Sequence, residues 1–297
     1  MPYSLKPLEI HDKEVFERFF REDPPQISEL TFTNLFIWNH RYHPQWIQRE
    51  GCLLIIFKPD GTNPFGLQPV GAGDKAEALE FLCRELGKIS PEVRICRASE
   101  EFVNRYVDHD RYSSLLDRDN CDYVYRSPDL IRLSGRKYHR KKNNLNHFLK
   151  DYRFEYRNLD MELVECFLDM QEHWCRIRDC AEKPELLYED YAIYKALTHF
   201  EELEYKGGAI QINSKIEAFS LGETLNPNTA VIHIEKANPE ITGLYGAINQ
   251  MFCAREWSGM QYINREQDLG IEGLKRAKES YHPHHMVNKY TVIPGYC

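Results

Sequence analysis

The chain spells one order of secondary-structure elements twice, and no other feature constrains its fold as tightly. In the first half, residues 11–21 place Val15, Phe16, Phe19 and Phe20 on one side of a helix. Asp23-Pro24-Pro25 stops it, because proline disfavours helix in the residue before it and has no amide to donate. Residues 28–40 read as a second helix capped by Ser28. Strands follow at 45–49, 52–58 and 65–70, with Pro59-Asp60-Gly61 as the turn before the third. A helix capped by Asp74 runs to 88, then a strand at 93–97, a helix at 99–107 and a closing strand at 123–126. The second half reads as a strand at 152–156, helices at 160–178 and 188–200, and strands at 208–213, 215–224 and 229–236. A helix at 243–257, a strand at 261–264, a helix at 269–281 and a strand at 286–293 complete it. Each half is thus helix, helix, three meander strands, helix, strand, helix, strand. A meander suits antiparallel pairing and the strand-helix-strand after it suits a parallel crossover. The expected class is α+β: two domains, 1–127 and 128–297, each with a mixed, mostly antiparallel sheet flanked by helices.

Composition removes several classes. At 42% hydrophobic and 12% aromatic, the chain is too apolar to be disordered. A net charge of −8 argues against a DNA-coating protein, whose footprint is broadly basic. Met1-Pro2-Tyr3-Ser4-Leu5-Lys6 lacks the apolar core of a signal peptide, and the longest apolar run, 53–57, is a strand's length. The nine cysteines are odd in number and form no CxxC pair, which reads as reduced thiols in a cytoplasmic protein. His173, Cys175 and Cys180, and His282, His284 and His285, cluster without zinc-ligand spacing, so no metal is expected.

One local exception stands against the acidic total. Arg136-Lys137-Tyr138-His139-Arg140-Lys141-Lys142 packs five positive charges into seven residues. Read as a helix over 134–152, it puts Tyr138, Leu145, Leu149 and Tyr152 on one face, with Arg136, Arg140 and Asn143 on one neighbouring ridge and Lys137 and Lys141 on another. Cations in a first helical turn oppose the macrodipole, and like charges four apart repel, each by some tenths of a kcal/mol. A bound polyanion would reverse both penalties. A solvated basic face neutralised by distant acids is the competing reading.

The element order resembles the GNAT (N-acyltransferase) fold in tandem. The run from Leu133 to Phe148, then Ile234-Glu235-Lys236-Ala237, Ala247-Ile248-Asn249-Gln250 and Asn264-Arg265-Glu266-Gln267-Asp268-Leu269-Gly270-Ile271, looks like the soluble C-terminal region of phosphatidylglycerol lysyltransferases and its free-standing bacterial relatives. The likeness covers most of 130–294; the first half resembles the fold by element order only. It implies an acyl or aminoacyl transferase. In the lysyltransferases the donor is an aminoacyl-tRNA and the acceptor a lipid headgroup. No membrane-spanning flippase region is written here, which leaves a small molecule or a lipid headgroup as acceptor.

Gln68-Pro69-Val70-Gly71-Ala72-Gly73 matches the Q-x-x-G-x-G that GNAT enzymes place around a donor pyrophosphate, so Gln68, Gly71 and Gly73 would serve acyl-CoA. A turn that needs positive φ explains the glycines as well. The equivalent junction in the second half, Glu235 to Gly246, lacks that spelling, which fits a donor other than CoA. Ester aminolysis or alcoholysis needs a base, oxyanion donors and an acid. Glu235 or Asp268 is the candidate base and Tyr245 or Tyr281 the candidate acid; caps, ion pairs and core packing are the alternatives. Asn249 lies one turn from Tyr245; Asn264, Arg265, Glu266 and Asp268 sit just past a strand's C-terminal end, where ligands gather, and Lys278 lies on the helix that follows. Asn249, Asn264, Glu266 and Lys278, with Arg136, Lys137, Arg140, Lys141 and Asn143, form the candidate substrate-binding set. Ser220 and Cys253 lack a His/Asp constellation, so direct transfer is expected over covalent catalysis. Three readings stand: aminoacyl transfer from charged tRNA to an amine or hydroxyl, CoA-dependent N-acyl transfer, and a non-catalytic protein binding RNA or anions.

Overall fold

In the computed structural model, which describes residues 5–179 and 182–295, the chain divides into two units. The first comprises 1–122, 267–272 and 286–297; the second comprises 123–266 and 273–285. Met1 to Ser4 and Cys180 lie outside the described residues.

The first unit is built on strands β1 (Lys6–Pro7), β2 (Gln45–Arg49), β3 (Cys52–Phe57), β4 (Phe65–Gly66), β5 (Val70–Gly71), β6 (Ile95–Ser99) and β7 (Tyr112–Leu116). The sheet runs β1-β2-β3-β4-β6, then a strand from the chain's C-terminal end, then β7, with β5 also paired to β3. Helices α1 (Lys13–Glu22), α2 (Phe32–Ile37), α3 (Asn39–Tyr42), α4 (Lys75–Gly87) and α5 (Glu100–Tyr106) belong to the same unit. The fully buried strand β3 and the Leu79/Leu82/Leu86 face of α4 share one core.

The second unit holds β8 (Asp122–Arg126), β9 (Phe154–Asn158), β10 (Lys206–Ile212), β11 (Lys215–Asn226), β12 (Thr229–Ala237), β13 (Tyr262–Asn264) and β14 (His285–Val287), in the order β14-β8-β13-β12-β11-β10-β9. Its helices are α6 (Ser127–Arg132), α7 (His139–Asp151), α8 (Val164–Arg178), α9 (Pro184–Thr198), α10 (Phe200–Leu203), α11 (Leu244–Glu256) and α12 (Glu272–Glu279). The meander β9 to β12 is antiparallel, and β12 pairs in parallel with β13.

The element order therefore survives, with one exchange. The strand read as closing the first half, β8, pairs with β13 in the second sheet. The stretch read as closing the second half splits: β14 joins the second sheet, while β15 (Lys289–Pro294) inserts between β6 and β7 of the first. Buried charge fixes that insertion. The Lys289 ammonium, with no exposed surface, meets Asp122 and Glu29 at 2.6 Å each, and Arg97 approaches Glu29 at 3.5 Å.

Smaller departures have local causes. The third predicted strand, 65–70, is the pair of two-residue strands β4 and β5, because Pro69 has no amide for the ladder. Helix 28–40 starts later, with Thr31 as N-cap accepting from the Asn34 amide. Ser28 instead hydrogen-bonds Asp122 through amide and hydroxyl. β7 falls between the helix expected at 99–107 and the strand expected at 123–126, where no strand was expected, since an edge strand exposes Leu115 and Leu116 and carries no apolar alternation. Cys52, Cys83, Cys96, Cys121, Cys166 and Cys253 are free thiols, whereas Cys175 is disulfide-bonded, a departure from the all-reduced expectation. Among the described residues no helix is long and apolar enough to cross a membrane.

Candidate active site

The second sheet opens along β12. Its parallel pairing with β13 ends at Val231↔Asn264, yet β12 continues to Ala237 paired with β11 alone. Glu235 lies on this free-edged stretch. Its Oε2 accepts from Asn249 Nδ2 on α11 at 2.8 Å, and its Oε1 from an Arg265 guanidinium nitrogen at 2.9 Å.

Arg265 follows β13 directly and its backbone is clamped. Its amide donates to the Tyr123 carbonyl at 2.9 Å, and the Lys278 ammonium donates to its carbonyl oxygen. The side chain packs against Tyr281, 4.8 Å from the ring centre, and Tyr125, at 5.7 Å. Burial opposes the guanidinium's charge, but Glu235, Tyr125 and Tyr281 with Cys253 together outweigh it and hold the pKa above the ordinary arginine value.

Two atoms here lack what every buried polar atom normally has. Asn249 Oδ1 and Arg265 Nη1 are both buried without a hydrogen-bond partner. One is an acceptor and the other a charged donor, and both side chains hold the Glu235 carboxylate. Leaving such groups unpaired costs about 1–3 kcal/mol each. A ligand offering a carbonyl oxygen to one and an N–H to the other would remove that cost.

Tyr281 is buried, and burial pushes its phenol up to about 12, so it is neutral near pH 7. The Lys141 ammonium stacks on its ring, 3.9 Å from the centre. Burial, then the Arg265 charge, brings the Lys141 pKa down to about 8. The rest of the basic run stays outside. Arg136 and Lys137 sit in a 3₁₀ turn, Arg136–Tyr138, ahead of α7 rather than in its first turn. Arg136, Lys137, Arg140 and Asn143 are exposed. The first turn of α7 still carries no acidic residue. Leu149, read as part of the apolar face, is exposed; the buried face is Tyr138, Leu145 and Phe148.

The remaining candidates are engaged elsewhere. Asp268 falls in the first unit, where Oδ2 meets Arg118 at 3.3 Å and Oδ1 accepts from the Gly270 amide at 2.9 Å. Glu266 pairs with His233 at 2.7 Å, and Asn264 Oδ1 accepts from the Glu266 amide at 2.7 Å. Lys278 is buried and donates to the carbonyls of Arg265 and Glu266. Tyr245, partly exposed, accepts from Trp174 Nε1 at 3.0 Å. Burial pushes the Cys253 thiol up to about 12, and Ser220 donates to the Ile234 carbonyl.

In the first unit, Gln68 Oε1 accepts from the Ser99 amide at 2.7 Å. The Gly71 amide donates to Asp23 at 3.0 Å, the Gly73 amide to the Gly51 carbonyl at 3.2 Å, and Asp74 takes the Ala76 and Glu77 amides of α4. A Cβ at Gly71 would meet the Gly51 oxygen at 2.2 Å and one at Gly73 the Glu50 oxygen at 2.1 Å, so close backbone approach demands both glycines. Arg265, legible in the sequence only as a residue past a strand's end, organises the Glu235 group from 30 positions away, and Tyr125, which packs against it, carries no spacing signal.

A family model described as phosphatidylglycerol lysyltransferase, C-terminal, matches residues 21–293. The chain belongs to that family. A conserved protein of unknown function from Bacteroides thetaiotaomicron is 30% identical and superposes with a TM-score of 0.92 over 99% of this chain and 100% of that one. The C-terminal domain of a putative lysylphosphatidylglycerol synthetase from Agrobacterium fabrum matches with a TM-score of 0.67 at 12% identity, over 95% of this chain and 91% of that one. A tandem GNAT protein from the clavulanic acid biosynthesis pathway matches with a TM-score of 0.51 at 8% identity, across the full length of both chains. An uncharacterised protein of Mycoplasmoides gallisepticum is 24% identical over 184 residues, 60% of this chain and 58% of that relative's length. The α+β, tandem GNAT-like fold expected from the element order is the one found. Family and fold place the chain among GNAT-like proteins related to the phosphatidylglycerol lysyltransferases.

Proposed function

We propose that the second unit transfers an aminoacyl group from a charged tRNA directly to an amine or hydroxyl acceptor, a lipid headgroup or a small molecule. The observation that carries this reading is the pair of unpartnered buried atoms on either side of Glu235. Arg265 Nη1 supplies a charged donor for the ester carbonyl oxygen, whose negative charge grows as the acceptor attacks. Asn249 Oδ1 supplies an acceptor for an N–H, as the α-ammonium of an aminoacyl ester would offer and an acetyl group would not. The Glu235 carboxyl group, held by Arg265 and Asn249, favours that same ammonium. The exposed Arg136, Lys137 and Arg140 before and on the first turn of α7 supply phosphate contacts for the tRNA. The Gly71–Gly73 loop plays no part, since its amides are held by Asp23 and Gly51.

The test is transfer of radiolabelled lysine from lysyl-tRNA to phosphatidylglycerol vesicles or to a panel of small amines. Transfer is expected in the wild type, with kcat falling about 10²–10³-fold in Arg265→Gln, the usual loss for one oxyanion donor. Turnover of acetyl-CoA with charged tRNA untouched, or full activity in Arg265→Gln, would overturn the proposal.

A further inference from the structure

The Glu235 group holds one charge too many. Arg265 and Glu235 neutralise each other at 2.9 Å, and both Glu235 oxygens are already taken, one by Arg265 and one by Asn249. Lys141 stands beside them half-buried. Among the described residues its Nζ forms no hydrogen bond or ion pair, only the contact with the Tyr281 ring. An arene face stabilises an ammonium less than a carboxylate partner would. Helix geometry explains how a lysine reached this position. Lys141, Leu145 and Phe148 share one face of α7, and the last two are core, so the lysine is drawn inward while Arg140 and Lys142 stay exposed.

Every charged or titratable group bearing on Lys141 can be named. Arg140 on its own helix and Arg265 after β13 disfavour its protonation; Glu235 on β12 favours it; Tyr281, after α12, offers its ring and is neutral. With Lys141 neutral the group is balanced; with Lys141 protonated it carries a net positive charge. Such a site gives up its proton more readily than an exposed lysine does.

We infer that Lys141 is the proton carrier of the transfer, a role that rests on the function proposed above. The acceptor's nitrogen or oxygen attacks the ester carbonyl carbon, and its proton passes to the free pair of Lys141 Nζ as the new bond to carbon forms. The tetrahedral intermediate's oxyanion rests on Arg265 Nη1. When the carbon–oxygen bond to the ribose breaks, the Lys141 ammonium returns the proton to the leaving oxygen. No proton is gained or lost over the cycle, and the lysine ends neutral, ready for the next acceptor. A group titrating near the working pH suits both halves of this exchange.

Two measurements test this. Reductive methylation with ¹³C-formaldehyde, with Lys141→Gln used to assign the signal, gives the titration midpoint of Lys141 without any substrate. A midpoint near 8 is expected, against the ordinary lysine range of about 10.4 for exposed residues. In the lysyl-tRNA assay with phosphatidylglycerol vesicles, kcat should rise with pH through about 8 in the wild type. Lys141→Gln should lose that limb and about 10²-fold or more in kcat with KM little changed. Lys141→Arg, which keeps the charge but cannot give up its proton, should not restore the rate. An ordinary lysine titration, or a fully active Lys141→Arg, overturns the proton-carrier role and leaves the transferase reading standing. Absence of transfer in the wild type overturns the transferase reading and this role with it.

Discussion

His233 shows how much one side chain decides here. It is the extra residue of a bulge in β12: Ile232 faces Gly222 and Ile234 faces Leu221, which leaves His233 outside the register. The bulge aims its ring between Glu266, at 2.7 Å from Nδ1, and Glu223, at 2.8 Å from Nε2. Burial alone would keep the imidazole neutral, but the two carboxylates override it and push the pKa up to about 10. Because the folded pKa is raised, the stabilisation is complete below about pH 6.5, declines above it, and is gone once the pH passes about 10. His233→Gln leaves two carboxylates without their cation, and about 3 kcal/mol of stability should be lost at pH 7. Chemical denaturation at pH 6 and pH 10.5 checks the sign: the deficit should be larger at the lower pH, and a pH-independent deficit would contradict the ion-pair account. Neither residue type nor spacing announces this triad. Glu266 was legible as a residue at a strand end, but its partner came from a bulge that no pattern in the sequence marks.

Among the elements, α7 was legible in outline and misread in detail. Its helical periodicity is real, and its basic turn is real. The 3₁₀ turn at Arg136–Tyr138 shifts the α-helical start to His139, so the inward face is set by Leu145 and Phe148. That shift turns Lys141 from one of several exposed cations into a half-buried one. The exposed members remain where a polyanion could meet them. Arg136→Glu with Arg140→Glu should relieve the first-turn electrostatics of α7, gaining some tenths of a kcal/mol in stability. The same pair should weaken charged-tRNA binding and reduce the slope of log affinity against log salt by about one per lost phosphate contact. Filter binding across a salt series reads the slope; an unchanged slope would mean that the basic turn is only a solvated surface. The first unit's glycine loop is the opposite case. Its spelling was legible, and the structure gives its glycines a packing reason in the close approach of Glu50 and Gly51.

At the level of the whole chain, the decisive feature is the exchange of closing strands. β15 is interior to the first sheet, between β6 and β7, although it is made of residues 289–294. A fragment of residues 1–127 would lack it, and with it Lys289, which neutralises the buried Asp122 and Glu29. Such a fragment is expected to show no cooperative thermal transition by circular dichroism. Joining residues 286–297 to it through a flexible linker should restore one. A cooperative transition in the unsupplemented fragment would contradict the structural role given to β15. The sequence by itself determined the class of fold, the duplication of the element order and the basic turn, because helix caps, proline stops and apolar periodicity are local and act through neighbours a few residues away. Only the tertiary structure decided which sheet each closing strand joins and which of the charged residues meet at Glu235. Strand pairing and the burial of charge depend on partners well beyond local reach, from 30 residues away for Arg265 and Glu235 to 260 for Lys289 and Glu29, and a strand's own alternation is equally satisfied by either sheet.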